Sequence, residues 1–147
     1  MAKMNSAIER SLDASARVAL RPEASVALVA AATVAETGVL LDKGAAYFNL
    51  NELDYGSFEV IIDVSTAVFT SNESYQVVVE IASDLAFTTP LQVAAIPNIA
   101  VTGNVGMYVL PLHGPTLKKL YPTLGYIRVK SIVAGTAPNF DYFAWML

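Results

Sequence analysis

The chain has 147 residues, of which 54% are hydrophobic and 15% are charged, and its net charge is −4. A chain of this length forms about one domain and buries enough surface to fold without disulfides. It has no cysteine and one histidine, which excludes thiolate catalysis and metal sites built from cysteine or from two imidazoles. It also lacks a run of basic residues that could follow a phosphate backbone, so nucleic acid is not an expected partner.

The apolar excess does not indicate a membrane protein. The uncharged stretch of mainly alanine and valine at residues 24–35 covers only 12 residues, whereas a spanning helix needs about 20 apolar residues. Acidic residues are interspersed among the basic ones before this stretch, which argues against a cleaved signal peptide. The sequence therefore predicts synthesis in the cytoplasm and no membrane partner. The surplus apolar residues are expected in a thick core and in protein interfaces.

The beginning of the chain differs in charge from the remainder. Residues 1–23 carry four basic and three acidic residues, whereas residues 24–147 carry five basic and ten acidic ones. We predict an N-terminal arm over 1–23 and a β-sandwich domain over 24–147. Within the arm, Ser6 and Glu9 have the spacing of a capping box, which would begin a short helix.

From residue 26 onward, apolar and polar residues alternate with the period of two that is typical of β-strands. In chain order, the predicted strands are 26–34, 39–41, 45–50, 58–64, 75–81, 91–96, 107–112, 127–133 and 140–147. Clusters of Gly, Pro, Asn and Ser separate them. Short helical turns are expected at 83–87 and 115–121, and the pattern as a whole predicts an all-β antiparallel sandwich or barrel.

Few residues suggest catalysis. His113 lies in a turn without a recognisable serine and aspartate partner, so we expect a solvated side chain. Asp63 and Glu80 face outward on two strands and would suit a glycosidase-like pair. Ion pairs between outward Glu59, Asp63 and Glu80 and outward Arg128 and Lys130 are the favoured interpretation, each worth roughly 0.2–1 kcal/mol.

Phosphate and metal sites are not indicated. Gly103 and Gly106 have the G-x-x-G spacing, but no residue completes a phosphate loop, so a hairpin turn is predicted there. Asp42, Asp54 and Asp84 lack the spacing of a calcium loop. We predict no catalytic, cofactor or metal site.

The last predicted strand is apolar on both faces. Phe140 and Tyr142 point to one side, and Phe143 and Trp145 to the other. Such a strand is either central and covered on both sides or part of a subunit interface. The sequence leaves both interpretations open.

The strand order over residues 36–147 resembles the small jelly-roll cement (decoration) proteins of tailed bacteriophage capsids. Residues 75–81 run into an S-D-x-A-F-x-x-P motif, and a Y-I-R-V-K strand at 126–130 and a closing aromatic strand follow. The motif residues are Ser83, Asp84, Ala86, Phe87 and Pro90.

The resemblance implies an antiparallel jelly-roll-like sandwich without enzymatic activity. It also implies a homo-oligomer, dimer or trimer, on the outer surface of a virion, where the chain bridges neighbouring major capsid proteins. The charge of the arm and the two-faced last strand suggest contact residues for that role. These are Arg10, Arg17, Arg21, Tyr121 and Trp145.

Two other functions remain open. A carbohydrate-binding sandwich would stack sugars on exposed aromatic rings, for which the candidates are Tyr47, Phe48, Tyr55 and Tyr121. A hydrolase would use Asp63 with Glu80, or His113.

Overall fold

Nine strands and one short helix form within the residues that the computed structural model describes, which are 18–41, 57–100, 104–121 and 125–146. The strands are β1 (Val18–Arg21), β2 (Ala32–Ala35), β3 (Val39–Leu40), β4 (Ser57–Ala67), β5 (Ser74–Ala82), β6 (Leu91–Ala95), β7 (Gly106–His113), β8 (Tyr126–Ala134) and β9 (Phe140–Met146), and the helix, α1 (Gly114–Leu120), follows β7.

The strands form two antiparallel sheets that pack against each other. The first sheet has the order β1-β9-β4-β7, and the second has the order β2-β8-β5-β6, with β3 also paired to β8. Four pairs, β1 with β9, β2 with β8, β4 with β7 and β5 with β6, are nested one inside the next along the chain. Nested pairs of this kind arise when one long hairpin folds over into two sheets, and this topology is called a jelly roll. The predicted all-β sandwich is confirmed.

The core lies between the sheets and is built by alternation. Along β4, for example, Phe58, Val60 and Ile62 are buried in the shared core, where each side chain contributes roughly 1.5–3 kcal/mol. The rings of Tyr75 on β5 and Phe140 on β9 stack at 4.8 Å and so join the two sheets.

Seven predicted strands coincide with β3 to β9, while the predicted strand at 26–34 is largely wrong. In that region only Ala32–Ala35 forms a strand, and Leu28 makes an isolated bridge to Phe140. The reason is topological, because the chain must cross there from β1 in the first sheet to β2 in the second. The predicted strand at 45–50 lies outside the described residues.

Two of the three predicted local features differ from the structure in part or in whole. The helix predicted at 115–121 is confirmed as α1, whereas 83–87 forms bends and a single turn, closed by a hydrogen bond from the Phe87 N–H to the Asp84 carbonyl at 3.1 Å, but no helix. There Asp84 accepts hydrogen bonds from the backbone and hydroxyl of Thr88, and Phe87 has a φ of 53°. The hairpin predicted at Gly103 and Gly106 is also wrong, since β6 and β7 belong to different sheets; Gly103 itself lies outside the described residues.

The first strand begins inside the predicted arm. Val18–Arg21 forms β1 and pairs with β9, so only residues 1–17 precede the sandwich strands, and they lie outside the described residues. The division into an arm and a domain stays a prediction.

A buried glutamate joins two turns at one end of the sandwich. One oxygen of Glu73 accepts hydrogen bonds from the backbone N–H groups of Thr70 (2.6 Å) and Ser71 (2.9 Å), and the other accepts one from Ala137 (3.3 Å). The bonds from Ser71 and Thr70 lower the pKa of Glu73 to about 2. Beside it, Gly135 has a φ of 112°, and a Cβ there would lie 2.6 Å from the Glu73 Cα.

We expect Gly135→Ala to destabilise the fold by more than Gly106→Ala. Both glycines have a positive φ, which costs about 1–3 kcal/mol for an alanine, but a Cβ at Gly106 has no atom within 4 Å. The clash with the Glu73 backbone therefore adds only to the first variant. Denaturant unfolding measures the difference, and equal losses in the two variants would contradict the close approach.

Acid unfolding tests the role of the Glu73 carboxylate. Because its pKa in the folded chain lies below its ordinary value of 4.5, ionisation stabilises the fold above pH 4.5, and this contribution is lost as the pH falls to about 2. Glu73→Gln should therefore be less stable than the parent chain at pH 7, and the difference should shrink between pH 4.5 and 2. A difference that stays constant over that range would refute the proposed linkage.

Candidate functional site

The candidate catalytic residues are not brought together. Asp63 lies on the outer side of β4 in the first sheet and Glu80 on the outer side of β5 in the second, so the two carboxylates occupy opposite faces of the sandwich. The Nδ1 atom of His113 accepts a hydrogen bond from the Thr116 backbone, and His113 is the N-cap of α1. Neither arrangement provides the acid and base of a hydrolase.

The described residues contain no group of three or more side chains that could hold a metal ion. Among the same residues, no helix has the length and apolarity needed to cross a membrane.

The outer face of the second sheet carries a compact ionic cluster. The carboxylate of buried Glu80 accepts hydrogen bonds from Arg128 Nε at 2.9 Å and from Lys130. Burial by itself would raise the pKa of Glu80, but the bonds from Lys130 and Arg128 outweigh it and lower the pKa. The Arg128 guanidinium also lies 4.1 Å from the centre of the Phe87 ring.

The predicted ion pairs are thus confirmed for Glu80 with Arg128 and Lys130, and they are wrong for Glu59 and Asp63. The latter two lie on β4, which belongs to the first sheet and cannot face β8.

The outer face of the first sheet carries a largely apolar region instead. Val109, Ile61, Trp145 and Ala19 lie opposite one another on β7, β4, β9 and β1 and form a row across all four strands. In the next row, Met107 and Phe143 flank Asp63. Met107 and Val109 are 45% and 47% exposed, whereas Ile61 and Trp145 at the centre of the first row are buried. We call these two rows the apolar face.

The only acidic side chain in these rows has a perturbed ionisation. Burial raises the pKa of Asp63, and the negative charge of Glu23 raises it further. The surroundings of Asp63 therefore disfavour its charge, as expected for a carboxyl group among apolar neighbours.

The last strand, β9, is central in its sheet, between β1 and β4. This confirms the interpretation of a central strand. On its outer side, Trp145 is 3% exposed and stacks on the half-buried Phe143 ring at 4.8 Å. A subunit contact through Trp145 stays a prediction, with Phe143 as the more accessible ring of the pair.

Arg21 is not an accessible arm residue, which corrects our expectation. The register of β1 shifts at Leu20, so that Ala19 lies opposite Trp145 and Arg21 lies opposite Ala144, which faces the core. This β-bulge turns Arg21 toward the interior, where it is 4% exposed.

The buried guanidinium of Arg21 holds three segments together. It donates hydrogen bonds to the Tyr142 carbonyl (2.9 Å), the Glu36 carboxylate (2.6 Å) and the Val26 carbonyl (2.7 Å). It also lies 4.8 Å from the centre of the Tyr142 ring. Because Tyr142 belongs to β9 and Glu36 follows β2, these bonds close one edge of the sandwich.

The other predicted contact residues divide into two groups. Tyr121 is half-buried, its hydroxyl donates a hydrogen bond to the Ile81 carbonyl at 3.1 Å, and burial raises its pKa. Arg10 and Arg17 lie outside the described residues, as do Tyr47, Phe48 and Tyr55. The described aromatic rings are buried or half-buried, and a sugar-binding role stays a prediction.

Sequence reasoning missed the most exposed apolar residues. Val26 and Val29, between β1 and β2, are 83% and 68% exposed. They fall in the uncharged stretch 24–35, of which 26–34 was predicted as a strand. The sequence carries no signal that these residues are exposed, because a run of alanine and valine without charge is equally typical of a buried strand.

Comparison with protein-family models, curated proteins and solved structures finds no match for this chain. The functional argument therefore depends on the geometry of the sandwich and its surfaces.

Arg21→Met should destabilise the fold by about 3 kcal/mol, because removing one partner of a buried ion pair leaves the other charge uncompensated. Adding Glu36→Gln should recover part of that loss. Urea unfolding of both single variants and the double variant measures the coupling, and strictly additive losses would show that the two side chains do not interact.

Proposed function

We propose that this chain is a structural virion protein that binds the outside of an assembled tailed-phage capsid and cements neighbouring major capsid proteins. The observation that carries the proposal is the difference between the outer faces of the two sheets. One face neutralises its charges internally through Glu80, Arg128 and Lys130. The other presents apolar side chains at Met107, Val109 and Phe143.

An apolar face of this kind suits a protein partner. Exposed apolar patches rimmed by polar residues mark interaction surfaces on soluble proteins, and aromatic and methionine side chains are enriched there. A rigid sandwich also needs no titrating group to act as a clamp. Many copies on one shell would combine contacts that are each weak, so that together they attach firmly.

The motif that carries the resemblance also supports the proposal. Its two parts contact each other, since the Phe87 ring of the S-D-x-A-F-x-x-P segment packs on Arg128 of the Y-I-R-V-K strand. The motif thus acts as one structural unit of the jelly roll. Jelly rolls serve many functions, so the apolar face and not the fold alone supports capsid binding.

Binding to undecorated capsids of the encoding phage tests the proposal. Val109→Lys should weaken binding by about tenfold or more, equivalent to ~1.4 kcal/mol, because it places a charge on the apolar face. Ile132→Lys is the matched control, since Ile132 is an exposed apolar residue on the outer face of the second sheet. Unchanged binding of the Val109 variant, or absence of the chain from purified virions, would refute the proposal.

Removal of residues 1–17 tests the predicted arm separately. This deletion leaves β1 and the Arg21 contacts in place, whereas a deletion through Arg21 would damage the sandwich. Weaker capsid binding with unchanged thermal stability would support a tethering role for Arg10 and Arg17, and unchanged binding would exclude it.

A further inference from the structure

The first sheet has the edge strands β1 and β7, and the second has β6 on one side and β2 with the short β3 on the other. Of these, β1, β6 and β7 carry features that hinder pairing with another chain. β1 contains the bulge at Leu20 and is followed by Pro22. β6 contains an extra residue, Val93, and β7 contains Pro111. Bulges and prolines are the devices that proteins use to prevent strand addition.

The edge strand β2 carries none of these features. Ala32–Ala35 contains no proline, charge or register shift. Its side chains are small and mostly exposed, and no other described strand pairs with its outer side. Since β3 has only two residues, β2 is the longest described edge strand that lacks a bulge or a proline.

The backbone of β2 is oriented for such pairing. The Glu36 N–H donates to the Val129 carbonyl at 3.0 Å, which identifies Glu36 and Val129 as a hydrogen-bonded pair. Because these pairs alternate along antiparallel strands, Val34 also bonds to β8. Thr33 and Ala35 therefore direct their N–H and C=O groups away from β8, toward the open side.

We propose that β2 pairs with β2 of a second copy of this chain, in antiparallel orientation, to form a twofold dimer. This dimer specifies how copies of the chain associate with one another. It rests on the proposed function only for its biological purpose. An antiparallel pair of identical strands obeys twofold symmetry, and such a contact closes after two copies.

Charge favours a second copy as the partner. Two chains that each carry a net charge of −4 repel one another over most surfaces. The stretch 24–35 contains no charge, so identical copies meet there without like-charge contacts. The exposed Val26 and Val29 precede the strand and add apolar surface that the dimer would remove from water.

Light scattering across a concentration series tests the proposal on the full chain. The parent chain should approach twice its 15.7 kDa mass. Thr33→Pro should shift it to the monomer, because proline removes an N–H group on the open side and leaves the bonds to β8 intact. Thr33→Val is the matched control, since it keeps the N–H group and should keep the dimer.

A second variant distinguishes loss of the dimer from misfolding of the Thr33→Pro variant. Ala35→Glu retains every backbone bond and places two like charges across the strand pair, so it should also favour the monomer. A monomeric or trimeric parent chain, or a dimer that survives both variants with unchanged thermal stability, would overturn the inference.

Capsid binding distinguishes this inference from the proposed function. Monomeric variants that still bind capsids would leave both the dimer and the capsid role in place. A monomeric parent chain whose capsid binding is lost on Thr33→Pro would instead assign the β2 edge to the capsid protein and overturn the dimer.

Discussion

The alternation of side chains on β4, β5, β8 and β9 is the constraint on which the other features depend. It sends one face of each strand into a single core, where residues such as Val60, Val79 and Val129 are fully buried. A slip of one residue would exchange every inward and outward side chain. The register of the central strands therefore also determines what each outer face presents.

The outer faces of the two sheets therefore present different side chains. On the second sheet, Glu80 lies among cations and an aromatic ring, so its charge is neutralised within the chain. On the first sheet, the row through Ile61 and Trp145 has no charged member, and apolar surface extends to the β7 edge. The buried Arg21 closes the opposite edge by joining β1, β9 and the segment around β2.

The sequence predicted the strands whose alternation is regular, and it failed where pairing between distant segments decides the structure. Residues 26–34 were predicted as one strand because alanine and valine suit several conformations, but the crossing between sheets limits β2 to four residues. The burial of Arg21 follows from a bulge at Leu20 that only the pairing with β9 reveals. Likewise, the predicted ion pair of Asp63 with the cations of β8 is wrong because the sequence does not reveal that β4 and β8 belong to different sheets.

The nesting of the strand pairs also has a consequence for synthesis. Val18 pairs with Met146, so the first strand must wait for the last before the first sheet is complete. Contacts of such long sequence separation slow folding, and during translation the apolar residues of β4 remain without β9 beside them. We therefore expect the nascent chain to need protection from aggregation until β9 leaves the ribosome.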